Sequence, residues 1–531
     1  MKRKILTLLP VLSLLSCTQQ PPIKNGSLKQ DNIKNIILLI GDGMGPQQVG
    51  LLLSYAHQAR KSVLNKPTAF ERLLKNGGEL GISLTHPKDA LVTDSAAAAT
   101  QISGGAYTHS ERIGIDQYGH KTETVLDKAK KVGKSTGLIS DTRITHATPA
   151  AFAAHQNHRG METEIAVDLL NANVDVLFSA GLNYWLPQAI NTDLQQKVAL
   201  KKKYPHLPTQ LRSKRTDQQN LLDDATKKGY QLVFNTLDLE QSQGKTIGLF
   251  APYSMPDAIT EHQQPNKMQP SLKMMSSKAL KILDKNPNGF FLMIEAGQID
   301  WAGHANDTGL LLHEMLKFNA LLHYLLDWIE QHPGTLLVVT ADHETGGFGF
   351  SYSADNVPEP RYLANDNYFK PNYNFGSPDI LDKLYLQKLS YQKMFWRFDQ
   401  LALDEKTPAN LMKIINNNSA FKINLAQAER ILLTEKNPYW LKKHSTLGNM
   451  TVPKISANSA FFPYQSGNRR NLLAQAVANQ QSVAWSTGAH TSTPVYVFTK
   501  GSLSVQSRFS NIMTHRELGK KLSNVLTNIN F

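Results

Sequence analysis

The 531-residue sequence predicts an α/β fold in which a central, mostly parallel sheet is sandwiched by helices. Short, continuous apolar runs recur along the chain, a pattern typical of strands that are buried on both faces. Polar stretches with helical character separate these runs. Several runs also end in acidic or imidazole side chains, and ligands bind at the carboxyl ends of strands in open α/β sheets.

Five apolar runs carry the strand prediction: Ile36–Ile40, Val176–Phe178, Phe290–Ile294, Leu336–Val339 and Val495–Phe498. Helices are predicted between them, at Thr122–Val132 and Gly309–Ile329. Two regions depart from this alternation. Residues 187–245 are polar and rich in lysine, and residues 351–480 contain scattered aromatic, proline and asparagine residues. We expect the second region, about 351–480, to be an insertion that caps the core.

The composition excludes several classes of protein. With 41% hydrophobic residues, 33 glycines and 25 prolines, the chain is not collagen-like, fibrous or mostly disordered. No apolar run approaches 18 residues, which excludes a multi-spanning membrane protein. The formal charge of +14 favours anionic substrates, or it is surplus charge spread over a solvated surface. The sequence has no dense basic tract interleaved with aromatic residues, so it gives no indication of a nucleic-acid partner.

The N-terminus has the pattern of an export signal. Lys2, Arg3 and Lys4 precede a short apolar run, which predicts a signal peptide over residues 1–16. The only cysteine, Cys17, follows Leu-Leu-Ser and resembles the lipidated cysteine of a bacterial lipobox; ordinary cleavage nearby is the alternative. We therefore predict a polar tether over 17–34, a main domain over 35–531, and a periplasmic or cell-surface protein held to the membrane by a lipid anchor.

Acidic and histidine residues follow two of the predicted strands in pairs. Asp300 and His304 are four residues apart, which places them on one face of a helical turn. Asp342 and His343 are adjacent, just after another strand. One such pair alone is typical of a surface ion pair, but two pairs, together with Asp42 in a glycine-rich turn, indicate metal binding. The mixture of carboxylate and imidazole favours zinc over calcium.

Further residues extend this candidate metal site. Glu295 follows the same strand as Asp300, and His490 precedes a late strand, where it is suited to complete a ligand set. Ser95 lies at the start of an alanine-rich helix, where free N–H groups and the helix dipole favour a phosphate group. The alternative is that Asp94 or Ser95 serves only as the helix N-cap.

Six separated motifs, taken in order, resemble those of alkaline phosphatases. The resemblance covers about residues 35–350 and 470–515, and the motifs are Gly41–Gly45, Thr93–Ala97, His146–Ala150, Glu295 with Asp300 and His304, Thr340–His343, and Gly488–Thr491. This resemblance implies two zinc ions and one magnesium ion around a serine nucleophile, Ser95. It also implies that Arg159 clamps the phosphate, as a guanidinium fork suits two phosphoryl oxygens.

The resemblance also implies the ligands of each ion: Asp300, His304 and His490 for one zinc; Asp42, Asp342 and His343, with Ser95, for the second; and Asp42, Thr148 and Glu295 for magnesium. His146 stands where some members of the family have aspartate, which leaves the identity of the third ion open. Trp301 stands where other members have lysine, histidine or tryptophan.

The implied activity is hydrolysis of phosphate monoesters to an alcohol and phosphate through a phosphoserine. Two alternatives remain: a phosphodiesterase of the same superfamily, and a non-catalytic lipoprotein that binds phosphate or metal. A sulfatase is disfavoured because the only cysteine lies in the signal region. Dimers are common in the resembled family, so a homodimer is an expectation drawn from the resemblance alone.

Overall fold

The computed structural model describes residues 33–264, 268–455 and 467–527. The predicted signal peptide, Cys17 and nearly all of the predicted tether lie outside these residues, so those assignments stay predictions. Within the described ranges, no helix has the length and apolar character needed to cross a bilayer.

One ten-stranded sheet forms the centre of the fold. Its strands are β1 (Asn35–Gly41), β2 (Glu79–Leu84), β3 (Ser135–Arg143), β4 (Val176–Ala180), β5 (Gln231–Val233), β6 (Thr246–Leu249), β7 (Phe290–Ala296), β8 (Thr335–Thr340), β17 (Val495–Lys500) and β18 (Ile512–Thr514). Their order across the sheet is β18-β2-β17-β8-β1-β7-β3-β4-β6-β5. Strand β17 is antiparallel to both neighbours and the other pairs are parallel, which confirms the predicted fold class.

Shorter strands form four two-stranded ribbons outside this sheet: β9 (Glu344–Thr345) with β16 (His490–Thr491), β10 (Phe348–Phe350) with β15 (Val483–Trp485), β11 (Arg361–Tyr362) with β12 (Tyr368–Phe369), and β13 (Thr434–Lys436) with β14 (Thr451–Pro453). The β9–β16 ribbon brings His490 next to the segment that follows β8.

Helices cover both faces of the sheet. They are α1 (Pro46–Gln58), α2 (Ala69–Lys75), α3 (Ser95–Gly104), α4 (Val125–Lys131), α5 (Ala147–Ala150), α6 (Glu162–Asn171), α7 (Leu194–Lys203), α8 (Leu221–Lys227), α9 (Thr236–Gln241), α10 (Ala258–Gln263), α11 (Leu272–Leu283), α12 (Gln298–His304), α13 (Thr308–Gln331), α14 (Asp379–Tyr385), α15 (Tyr391–Asp399), α16 (Pro408–Asn418), α17 (Leu425–Leu432), α18 (Asn468–Gln481), α19 (Leu503–Gln506) and α20 (His515–Thr527). The two predicted helices correspond to α4 and α13.

Strand β1 is apolar throughout because it contributes to a separate core on each face of the sheet. Ile37 and Leu39 pack into the core beneath α1, α11 and α13, whereas Ile36 and Leu38 pack into the core beneath α4 and α20. All of these side chains are fully buried. A continuous apolar run in a parallel strand is the sequence consequence of this double burial.

The register of the central strands places their polar ends side by side. Ile40 of β1 pairs with Glu295 of β7 on one side and with Thr340 of β8 on the other. Asp42 and Asp342 follow these strands within two residues. The side chains that the sequence placed at strand ends therefore emerge at one edge of the sheet.

Two regions need separate comment. Within residues 187–245, β5 pairs with β6 at the sheet edge, so this region does contribute a strand, contrary to expectation. Its first residue is exposed, its second half-buried and its third buried, and the strand gives almost no apolar run. Residues 351–480 lie between β10 and β15, two strands that pair with each other. Between these strands, α15 buries Met394 and Phe398 in the same core as α13.

Candidate active site

Ser95 is the first residue of α3 and is almost fully buried, with 2% of its surface exposed. Asp94 is the N-cap, and its carboxylate accepts hydrogen bonds from the backbone N–H groups of Ala96 and Ala97. The capping interpretation is therefore correct for Asp94, and it satisfies two of the N–H groups expected to face a phosphate. The Ser95 Oγ atom lies 3.2 Å from Nε2 of His343.

Asp300, His304 and His490 form the first group of ligand-type side chains. Asp300 and His304 share one face of α12, as the four-residue spacing predicted, with His304 Nε2 at 3.4 Å from Asp300 Oδ1. The two histidine Nε2 atoms are 3.1 Å apart. Each Nδ1 contacts a backbone carbonyl instead, at Gly488 for His304 and at Thr93 for His490. This arrangement leaves both Nε2 atoms for a metal.

Asp42, Asp342 and His343 form the second group, and all three are fully buried. His343 Nε2 lies 3.4 Å from Asp42 Oδ1 and 3.2 Å from Asp342 Oδ2. Thr345 links this group to the first: its hydroxyl donates to Asp300 Oδ1 at 2.5 Å and lies 3.2 Å from His343 Nδ1. Sequence reasoning missed Thr345, because only its position just after the Asp342 motif pointed to it.

Asp42, His146 and Glu295 form the third group, so Asp42 belongs to two groups at once. His146 Nδ1 is 3.7 Å from Glu295 Oε1. The Thr148 hydroxyl neighbours Glu295 but makes no hydrogen bond of normal geometry. The structure thus brings His146 into the set that the resemblance assigned to Asp42, Thr148 and Glu295.

The donor atoms in these groups fit bound cations. Buried polar atoms in proteins nearly always have hydrogen-bond partners. Within the part of the chain that the structure describes, six buried atoms of this site lack any such partner: both Asp42 carboxylate oxygens, Asp342 Oδ2, Glu295 Oε1, His146 Nδ1 and Thr148 Oγ1. All belong to the second and third groups or to Thr148 beside them. Cations would satisfy these atoms together, which is the expected chemistry of such a donor set.

The protonation of the site also indicates a need for positive charge. Burial, together with the nearby carboxylates of Asp342 and Asp300, raises the pKa of Asp42 well above its ordinary value. Burial and Asp300 raise the pKa of Asp342 to about 7. Burial lowers the pKa of His490 to about 4, so this imidazole is neutral near pH 7, as a metal ligand must be. Crowded carboxylates beside neutral histidines favour cation binding.

Arg159 lies beside the nucleophile candidate. Its Nη1 donates to Asp94 Oδ2 at 3.0 Å, and its Nη2 is 3.2 Å from His146 Nε2. Burial alone would raise the pKa of Asp94, but Arg159 and three backbone N–H groups hold it below its usual value. The structure therefore brings together every candidate side chain among the described residues, at the carboxyl ends of the central strands.

Comparison with known proteins identifies relatives of the whole fold. The family model "Alkaline phosphatase" matches residues 33–527. Alkaline phosphatase 3 of Bacillus subtilis is 37% identical over 62% of this chain and 64% of its own length. Repressible alkaline phosphatase of Saccharomyces cerevisiae is 34% identical over 67% of this chain and 63% of its own length. The matched segment thus spans a little under two thirds of these relatives.

Solved structures show the same fold. The structure of Thermus thermophilus alkaline phosphatase aligns with a TM-score of 0.74 at 23% identity, covering 97% of this chain and 96% of that chain. A cold-active alkaline phosphatase from Shewanella sp. aligns with a TM-score of 0.67 at 23% identity, covering 93% and 99%. With a family model matched over nearly the whole described chain, the conclusion is that this chain belongs to the alkaline phosphatase family.

Proposed function

We propose that the chain is a metal-dependent phosphatase that hydrolyses phosphate monoesters through a phosphoserine on Ser95. The observation that carries this proposal is the position of Ser95, which starts α3 and lies 3.2 Å from His343 within a crevice of ligand-type side chains. Relatives named alkaline phosphatases support the reaction class.

The donor sets favour a specific pair of metals. We assign zinc to Asp300, His304 and His490, and a second zinc to Asp42, Asp342 and His343, since both sets combine carboxylate with imidazole. We assign magnesium to Asp42, Glu295 and Thr148, whose donors are oxygen atoms. His146 adds a nitrogen donor to this third set, whereas magnesium prefers oxygen ligands. When bound, such ions neutralise charge on the attacking and leaving oxygens.

In the first step, Ser95 Oγ attacks phosphorus in line with the ester bond. The Oγ–P bond forms as the P–O bond to the alcohol breaks, and the departing alkoxide takes up a proton. In the second step, water attacks phosphorus, the Oγ–P bond breaks, and inorganic phosphate leaves. Ser95 must lose its proton before the first attack and regain one at the end.

Arg159 is the residue that we assign to bind the phosphoryl oxygens. The Asp94 carboxylate already accepts hydrogen bonds from the N–H groups of Ala96 and Ala97. The start of α3 therefore contributes its dipole to phosphate binding rather than those two donors. Asp94, the residue before Ser95, accepts a hydrogen bond from Nη1 of Arg159 and so anchors the guanidinium. A planar fork held in this way suits two oxygens of one phosphoryl group.

We also propose that the chain is exported and carries a lipid anchor at Cys17. This proposal rests only on the signal-like sequence of the N-terminus. A homodimer stays an expectation from the resemblance. Metabolic labelling with a radioactive fatty acid, in the wild type and in Cys17→Ser, tests the anchor: label should appear in the wild type only.

One assay separates the proposed function from its alternatives. The purified chain is given p-nitrophenyl phosphate or its bis-ester, with and without a chelator. Rapid, chelator-sensitive hydrolysis of the monoester supports the proposal. Preference for the bis-ester would identify a phosphodiesterase, and binding of phosphate or metal with no turnover would identify a non-catalytic lipoprotein.

A further inference from the structure

A cavity of about 350 Å³ lies beside Trp301, the residue that follows Asp300 on α12. One wall comes from the core of the fold, through Trp301 and Gln298. Another comes from α15, through Gln392 and Trp396. Because α15 lies within residues 351–480, the cavity is closed by the segment that the sequence identified as a cap. A volume of this size is in the range of small-molecule sites.

Two side chains connect this cavity to the proposed phosphate position. The Trp301 ring meets His146 edge-on, with ring centroids 6.2 Å apart. His146 Nε2 is in turn 3.2 Å from Arg159 Nη2. Arg159, His146 and Trp301 thus form a continuous series of contacts from the guanidinium proposed to bind phosphate to the wall of the cavity. The organic part of an ester bound there reaches the cavity by extending past Trp301.

Glutamine amides held in fixed orientations contribute to the cavity lining. Gln298 donates its Nε2 to the carbonyls of Asp141 and Met255, and Gln269 donates its Nε2 to the carbonyl of Phe250. The Oε1 atoms of both glutamines accept no hydrogen bond from the described residues. Gln392 has the opposite orientation: its Oε1 accepts from Arg470, and its Nε2 has no acceptor within the described ranges. These three amides thus offer acceptors and a donor that carry no charge.

The carboxylates of the lining are already satisfied. Asp257 accepts hydrogen bonds from the Thr260 backbone and the Ser390 hydroxyl. Asp307, which is buried, accepts from three protein N–H groups. Lys393 is the remaining charged side chain, and its Nζ lies 5.7 Å from the Trp396 ring centre. This chemistry suits a neutral, flat and polar group more than an ion.

We propose that this cavity is a leaving-group subsite for the nucleoside of a nucleoside monophosphate, an inference that rests on the proposed function. The nucleobase stacks on Trp396, and the glutamine amides pair with its polar edge. Aromatic rings stack on any base, and glutamine amides match the donor and acceptor pattern of adenine. Two tryptophans with amides oriented in both senses favour a base over a sugar or a short polyol.

The test compares three monoesters on the metal-loaded enzyme: adenosine 5′-monophosphate, glucose 6-phosphate and glycerol 2-phosphate. The variant is Trp396→Ala, chosen because this ring is 57% exposed and its loss leaves the core intact. The matched control is Trp440→Ala, an exposed tryptophan of the same segment outside the cavity lining. We expect Trp396→Ala to lower the kcat/KM ratio of the nucleotide to glycerol 2-phosphate about tenfold. Trp440→Ala should leave that ratio unchanged.

Binding provides a second measurement that does not depend on turnover. Adenosine is titrated calorimetrically into the enzyme in the presence of inorganic phosphate. Weaker binding by Trp396→Ala than by Trp440→Ala supports the subsite, whereas equal binding overturns it. An unchanged nucleotide ratio, or an equal loss for glucose 6-phosphate, also overturns it while the proposed function stands. Failure of the wild type to hydrolyse any of the three esters overturns the proposed function, and the adenosine titration still tests the cavity.

Discussion

Arg159 donates from Nη1 to Oδ2 of Asp94 at 3.0 Å, although 65 residues separate the two side chains in the sequence. Asp94 is also the N-cap of the helix that Ser95 begins. One carboxylate therefore fixes both the start of the nucleophile helix and the guanidinium proposed to bind phosphate. Any change at Arg159 acts on phosphate binding with little effect on the helix, which keeps its cap.

Replacing Arg159 with alanine should lower kcat/KM for a phosphate monoester and weaken inhibition by inorganic phosphate. Loss of charge-assisted hydrogen bonds worth about 1.5–3 kcal/mol predicts a loss of about 10- to 150-fold. Arg159→Lys keeps the charge but not the fork, so its loss should be intermediate. Steady-state kinetics with phosphate as inhibitor measure both quantities. An unchanged inhibition constant in Arg159→Ala would contradict the assignment.

Replacing Ser95 with alanine should abolish the phosphoenzyme and reduce turnover by about two orders of magnitude or more. Residual activity should remain because phosphate binding does not depend on the hydroxyl. Wild type is trapped with labelled phosphate at mildly acidic pH, and the labelled peptide is mapped. Ser103→Ala is the matched control, since Ser103 is a buried serine of the same helix outside the ligand groups. Label on a residue other than Ser95 would refute the nucleophile assignment.

The central strands were predictable from sequence because double burial makes them apolar throughout. Strand β1 and strand β7 are fully buried, and their apolar runs stand out from their surroundings. Strand β3 was missed because its sequence, Ser135–Arg143, is rich in serine and threonine, although it is buried as well. Strand β2 was missed because its residues alternate between buried and partly exposed positions and include a glycine. A buried strand could therefore be recognised from the sequence only where its buried side chains are apolar.

The ligand-type residues were predictable for a related reason. Each follows a recognisable strand or lies at a helix start, and the parallel register brings those points together. The cavity beside Trp301 was not predictable, because Trp396 reaches it from a segment 95 residues farther along the chain, with no pattern that indicates the contact. The same holds for the pairing of Asp94 with Arg159. Long-range side-chain contacts between irregular segments leave no periodic signal in one sequence.

Removing His490 should cost one metal ion. Elemental analysis of the purified wild type should find about two zinc ions per chain, and His490→Ala should hold one fewer, since Asp300 and His304 alone make a poor zinc site. Activity should fall in chelator and return with added zinc. His444→Ala, an exposed histidine far from the ligand groups in sequence, should keep the wild-type content. A fully active preparation without metal would refute the metal assignments.

Replacing His146 with aspartate should shift the third site toward magnesium. The change substitutes a carboxylate oxygen for the imidazole beside Asp42 and Glu295, and magnesium prefers oxygen ligands in octahedral geometry. We expect the variant's activity to rise further on adding magnesium than that of wild type. An identical magnesium response in both proteins would contradict the prediction.

Asp307 should make the free energy of unfolding depend on pH, and Asp307→Asn should remove this dependence. Burial raises its pKa to about 6, from an ordinary value of 3.8. Between these values the folded state holds a proton that the unfolded state has released, so this group contributes less stability as pH rises from about 4 to 6. The full loss is about 3 kcal/mol.

Asp307→Asn removes this titration but also weakens a buried network. The carboxylate now accepts hydrogen bonds from several donors, among them the backbone N–H groups of Leu310 and Tyr391. In the variant, the NH2 group of the amide would face one of these donors and could not accept its hydrogen bond. That change costs about 1–3 kcal/mol. The variant should therefore unfold at a lower temperature than wild type near pH 4, and the difference should shrink as pH rises from about 4 to 6. Melting temperatures of both proteins across pH 4–8 measure this trend. A difference that stays constant or widens with pH would show that Asp307 is ionised throughout the range.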